Sequence, residues 1–123
     1  MLEDFQEYGF EKLEVYQLAE ELVAEIYDLA KNFPKDELFG LTSQIKRSSI
    51  SVALNLAEGA SYRDGGQFHR FVNIAVGSLV ETKASLRVGV KLKFIEESAL
   101  IRVIPHIDKL YFKLQALKKS LAK

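Results

Sequence analysis

Cysteine is absent from the 123 residues, which excludes disulfides, thiolate metal sites and thiol catalysis. Histidine occurs only at His69 and His106, and the residues three positions before them are Gly66 and Val103. The Glu-x-x-His pairs that build di-metal centres in helical bundles are therefore missing. Gly65-Gly66 is followed by neither the lysine nor the serine of a phosphate-binding loop. With 7 glycines and 2 prolines, the composition is not that of a disordered or collagen-like chain. The most apolar stretch, 71–80, is far short of the ~20 residues that span a bilayer. The opening MLEDFQEYGF is acidic and lacks the basic-then-apolar order of a signal peptide. A cytoplasmic chain without membrane contact is expected, with no cofactor, no metal and no enzymatic activity.

What is present is 48% hydrophobic and 28% charged residues, enough to bury a core in one domain spanning 1–123. The net charge is zero, but its distribution is uneven. Residues 1–40 carry eleven acids against Lys12, Lys31 and Lys35, a net −8, and the remainder carries +8. Within that remainder, 98–123 holds six basic residues against Asp108 alone. Such an asymmetry can steer an anionic partner or pair the protein with itself, and it can equally set an acidic helix beside basic ones.

Apolar spacing predicts four helices. Over 13–33, Val15, Ala19, Leu22, Ile26, Leu29 and Phe33 recur at steps of four and three, and Phe33-Pro34 ends the pattern. Over 41–58, Leu41, Ile45, Ser49, Val52 and Leu56 form the line of what should be the most buried helix, with Gly59 as its C-terminal cap. Over 67–94, the line is Phe68, Val72, Ala75, Leu79, Thr82, Leu86 and Val90. Gly77 and Gly89 within it are small residues that admit a close neighbour. Over 98–121, Leu100, Ile104, Ile107, Tyr111, Leu114 and Leu121 form the centre line. Pro105 either kinks this helix or marks the first turn of its regular part. Short connections between long single-stripe helices predict an all-α, antiparallel up-down-up-down four-helix bundle.

Asn55, Glu58 and Glu81 interrupt apolar surfaces. As buried polar groups they would need partners. Arg47, a serine or a helix terminus could supply these and fix how the second and third helices meet; an acid/base pair is the other reading of the two carboxylates.

The stretch Phe10-Glu11-Lys12-Leu13-Glu14-Val15-Tyr16, the run Phe33-Pro34-Lys35 through Leu38-Phe39-Gly40-Leu41-Thr42-Ser43-Gln44-Ile45-Lys46-Arg47, and Asn55-Leu56-Ala57-Glu58-Gly59 resemble the four-helix-bundle family of 23S rRNA intervening-sequence proteins. Phe68 with Phe71 and Ile74 through Glu81 continue the likeness. The chain departs from the family's pattern at Ala53, Tyr62, Lys83 and Ser85. The family is similar to accessory proteins of diversity-generating retroelements. The resemblance implies a ring-shaped homopentamer that engages nucleic acid, RNA or DNA, and a protein partner.

Lys46, Arg47, Arg63, Arg70, Arg102, His106, Lys109 and Lys113 are the candidate nucleic-acid contacts. Arg102, His106, Lys109 and Lys113 share one face of the fourth helix. Val88, Phe94, Ile101 and Phe112 fall off the core lines and are the candidate oligomer interface. The expected function is an oligomeric, nucleic-acid-associated scaffold. The alternative is a protein-interaction module with no nucleic acid, which a sequence pI near 6.7 favours.

Overall fold

A computed structural model of the chain describes residues 6, 8–37 and 40–121. Glu3, Asp4, Glu7 and Lys123 of the charge count, and Leu38 and Phe39 of the family motif, lie outside the described residues. Four α-helices, α1 (Glu14–Ala30), α2 (Leu41–Ala60), α3 (Gly65–Lys91) and α4 (Glu97–Leu121), and two 3-10 turns, Gly9–Lys12 and Lys35–Glu37, are present, with no strand among the described residues. None of these helices is long and apolar enough to cross a membrane.

The stripe of α1 holds as read: Val15, Ala19, Leu22, Ile26 and Leu29 are its buried residues. The helix stops at Ala30, short of Phe33, and the chain leaves through a turn in which the Phe33 amide donates to Ala30 O at 3.1 Å. Pro34 disfavours a helical Phe33, so the last turn cannot propagate. At the start of α2, the Glu37 carboxylate accepts from the Leu41 amide at 3.1 Å, standing in for the side-chain cap that Gly40 cannot provide.

Gly59 is not a cap. α2 runs through it to Ala60, and no glycine has a positive φ. A Cβ at Gly59 would lie 2.7 Å from Phe71 Cβ, so the residue is small because α3 crosses there. Gly89, on α3 itself, is small because the turn after the helix folds back on it: a Cβ there would run into the Ile95 side chain. Gly77 has no such neighbour, since nothing lies within 4 Å of its Cβ position. The left-handed residue that ends α3 is Lys93 (φ 64°), which turns the chain so that Gly89 O accepts from the Phe94 amide at 2.8 Å. α3 starts at Gly65, earlier than its apolar stripe, because Asp64 Oδ1 accepts from the Gly66 amide at 2.9 Å as an N-cap. α4 is continuous through Pro105, so its regular part does not begin there. Its buried line is Leu100, Val103, Ile107, Leu110 and Leu114, while Ile104 and Tyr111 flank the core rather than centre it.

α2 buries eight of its 20 residues, and three of the eight are Thr42, Ser48 and Ser49. Facing them on α3 are Ser78 and the fully buried Thr82. The Thr82 hydroxyl donates to Ser48 Oγ at 2.8 Å, and Ser48 donates to Ile45 O at 3.1 Å. Ser51 Oγ and Ser78 Oγ are 2.8 Å apart. These short side chains satisfy one another, and no buried side-chain polar atom among the described residues is left without a partner.

Candidate interaction surfaces

Across the α1 and α4 seam, His106 Nδ1 meets Glu25 Oε1 at 2.7 Å and Lys113 Nζ donates to Glu14 Oε1 at 3.2 Å. The basic face read on α4 is thus half spoken for, since two of its members, His106 and Lys113, answer acids of α1. Arg102 and Lys109 remain exposed. The charge asymmetry of the chain is spent in part within the chain itself. Lys46 is drawn to α1 too, its ammonium 4.8 Å from the centre of the Tyr27 ring. Arg47 is exposed on α2.

Burial expected for Glu58 and Glu81 is not found: both are exposed. Asn55 is half-buried, and its amide donates to Ser51 O at 2.8 Å, back along its own helix. Glu81 accepts from Gln44 rather than from Arg47. The physical reason is the seam of hydroxyls: Ser48, Ser51, Ser78 and Thr82 occupy the contact between α2 and α3, and this turns the longer polar side chains outward. Glu58 and Glu81 do not form an acid/base pair in a pocket, and no cluster of three or more His, Cys, Asp or Glu among the described residues could hold a metal ion.

A groove of about 490 Å³ runs between α3 and α4, lined by Leu79, Val80, Ala84, Ile107, Tyr111 and Phe112 with Lys83, Arg87 and Asp108. Lys83 Nζ and Asp108 Oδ1 pair across it at 2.9 Å. Apolar residues stand exposed on the same two helices: Val80, Val88, Ile101 and Phe112, the last at 71%. Phe94 does not belong with them. It packs against the core because the turn at Lys93 folds it back under α3. Leu54, exposed on α2, and Val80 are apolar surface positions that the spacing argument did not single out.

At the opposite end of α3, Tyr62 and Phe71 stack with ring centres 5.5 Å apart and planes 15° from parallel. The Arg70 guanidinium lies 5.4 Å from the Phe71 ring centre, and Arg63 is exposed beside Tyr62. Arg63 and Arg70, read separately from the sequence, therefore flank one aromatic stack. Tyr62 stands out in the sequence only as a departure from the family's pattern; an aromatic just past a helix end, next to an arginine, is the signal for its place in the stack. On α1, the Tyr16 hydroxyl donates to Glu20 Oε2 at 3.0 Å, and burial followed by this bond raises its pKa above the usual 10.0.

Four long helices with surface grooves and charges paired across their seams define an all-helical protein. The chain belongs to the family of 23S rRNA-intervening sequence proteins, whose sequence profile matches residues 11–116. No match is found among curated proteins.

Proposed function

We propose that this protein is a cytoplasmic, non-enzymatic scaffold: an antiparallel up-down-up-down bundle that assembles with copies of itself into a ring and carries nucleic acid. The observation that carries the assembly is the exposure of Val80, Val88, Ile101 and Phe112 on α3 and α4, with Val80 and Phe112 lining the groove between the two helices. Where such residues join into a contiguous apolar patch, the patch marks an interaction site. The helix order is supported by the pairs Glu14 with Lys113 and Glu25 with His106, and by Gln44 with Glu81 and Ser51 with Ser78, whose numbers run in opposite directions along each pair of helices.

Opposed charges contribute less to assembly than their count suggests, because Glu14 and Glu25 are engaged within the chain. A head-to-tail contact is heterologous and closes into a ring if its rotation permits. The family resemblance implies five subunits.

Gel filtration coupled to light scattering tests this reading. The expected result is a species several times the 13.9 kDa monomer. Phe112→Glu together with Ile101→Glu should return it to the monomer without loss of helix, because both side chains are exposed. A wild-type chain that stays at 13.9 kDa at micromolar concentration overturns the assembly. Nucleic-acid binding is read separately: a phosphate contact weakens steeply with salt, whereas an apolar contact with a protein partner does not.

A further inference from the structure

The turn between α2 and α3 brings together what recognition of an unpaired base requires. Tyr62 is 40% exposed, while its stacking partner Phe71 is buried. The near-parallel stack, offset with ring centres 5.5 Å apart, covers part of the Tyr62 ring and leaves two-fifths of the residue open to solvent. Arg63 is the next residue, and Arg70 extends over Phe71. The last turns of α4 close on the same end: Lys118 Nζ donates to Asn73 Oδ1 on α3 at 3.1 Å, and a Cβ on Gly65 would lie 3.9 Å from Leu121 O. Lys119 is exposed there. The acids at the turn are Asp64, whose carboxylate accepts from the Gly66 amide, and Glu58, one turn back along α2, both exposed. At this end of the bundle Arg63, Arg70, Lys118 and Lys119 outnumber the acids Glu58 and Asp64. In the α1 and α4 seam, by contrast, acids answer the basic residues directly.

We propose that this end of the protein binds single-stranded nucleic acid, with a base stacked on the exposed part of Tyr62 and the backbone phosphates held by Arg63, Arg70 and Lys119. The inference rests on the nucleic-acid part of the proposed function and places its site. Stacking on an aromatic ring needs a base free of its neighbours, which a duplex does not offer. The arginines add phosphate contacts that tolerate any sequence. The α3 N-terminus is not the anion site, because Asp64 already occupies it.

Fluorescence anisotropy with a short labelled oligouridylate, an oligodeoxyuridylate and a duplex of equal length tests the site across a range of salt. Both single strands should bind more tightly than the duplex; a preference for oligouridylate would mark a 2′-hydroxyl contact, and equal binding a stacking and phosphate site alone. Tyr62→Ala should weaken binding about tenfold or more, and Tyr62→Phe should restore it. Arg63→Ala, on an exposed side chain, should leave the fold intact and reduce the slope of log affinity on log salt by about 0.7. Two results overturn the site: tighter binding of the duplex, or unchanged binding in Tyr62→Ala and Arg63→Ala alongside loss in Lys109→Ala. In either case nucleic-acid binding itself stands. No binding of any probe at low salt overturns the nucleic-acid reading and the site with it.

Discussion

Helix α3 meets its two neighbours in opposite ways. Against α2 it is sealed: Ser78 and Thr82 bond to Ser51 and Ser48, and Phe71 sits where Gly59 leaves no side chain. Against α4 it leaves a groove, with Val80 and Phe112 standing at its edges. The side chains bonded across the first contact are small and polar, and Val80 and Phe112 at the edges of the second are large and apolar. Hydrophobicity alone predicts the reverse. What separates the two cases is reach. Short hydroxyls let backbones approach and satisfy each other once inside, whereas a bulky side chain outside the core stripe holds the next surface away. A seam of the first kind serves the fold, and a groove of the second kind is available to a partner.

The comparison breaks most sharply at two leucines of α2, Leu56 at 0% exposure and Leu54 at 61%. Leu56→Ala removes packing from the sealed side and should cost about 2–5 kcal/mol, through lost transfer energy and the cavity left behind. Leu54→Ala lies outside and should change monomer stability by no more than about 0.5 kcal/mol. Urea unfolding monitored by circular dichroism checks both. Equal losses at the two positions would mean that Leu54 is buried in solution, which an oligomer through α2 would explain.

Two glycines sharpen it further. Gly59→Ala would force a Cβ to within 2.7 Å of Phe71 Cβ, an atom close to its backbone and with little room to yield. Overpacking of this kind should cost about 1–3 kcal/mol, beyond anything regained in helix propensity. Gly77→Ala meets nothing within 4 Å and should stabilise α3 by up to about 1 kcal/mol. Opposite shifts in thermal midpoint are the expected outcome. A loss at Gly77 in the assembled protein, absent in the Phe112→Glu and Ile101→Glu monomer, would locate a close contact between subunits at that helix face.

The parts that were legible in the sequence are those that depend on local period. All five buried residues of α1 follow from steps of three and four, because no polar residue breaks them and one face is enough to define the helix. The centre of α4 came out one notch away, at Val103 and Leu110, because its apolar stripe is wide enough to allow either rotation. Helix ends depended on tertiary contacts: Gly59 looks like a cap until Phe71 is seen above it. The surfaces were the least legible. His106 and Glu25 are 81 positions apart and Lys113 and Glu14 are 99 apart, so no local pattern could show that the basic face of α4 is answered from α1. Arg63 and Arg70 stood out by charge, but their shared aromatic stack exists only once the turn between α2 and α3 is folded.

The smallest expected effect separates the two accounts of Glu81. Set between Val80 and Thr82, it reads as a buried carboxylate whose removal would strand a partner, at about 1–3 kcal/mol. In the structure it is exposed, and its partner Gln44 is exposed as well. Water can replace either group when the other is lost, so Glu81→Ala should shift stability by about 0.5 kcal/mol or less. Thr82, one residue along, is fully buried and bonded to Ser48. Thr82→Val keeps the shape but deletes that bond, and should cost about 1 kcal/mol, the usual net value of a hydrogen bond inside a protein. Measured side by side in urea, Thr82→Val should fall below Glu81→Ala. The reverse order would put the carboxylate inside the seam and the hydroxyls at its margin.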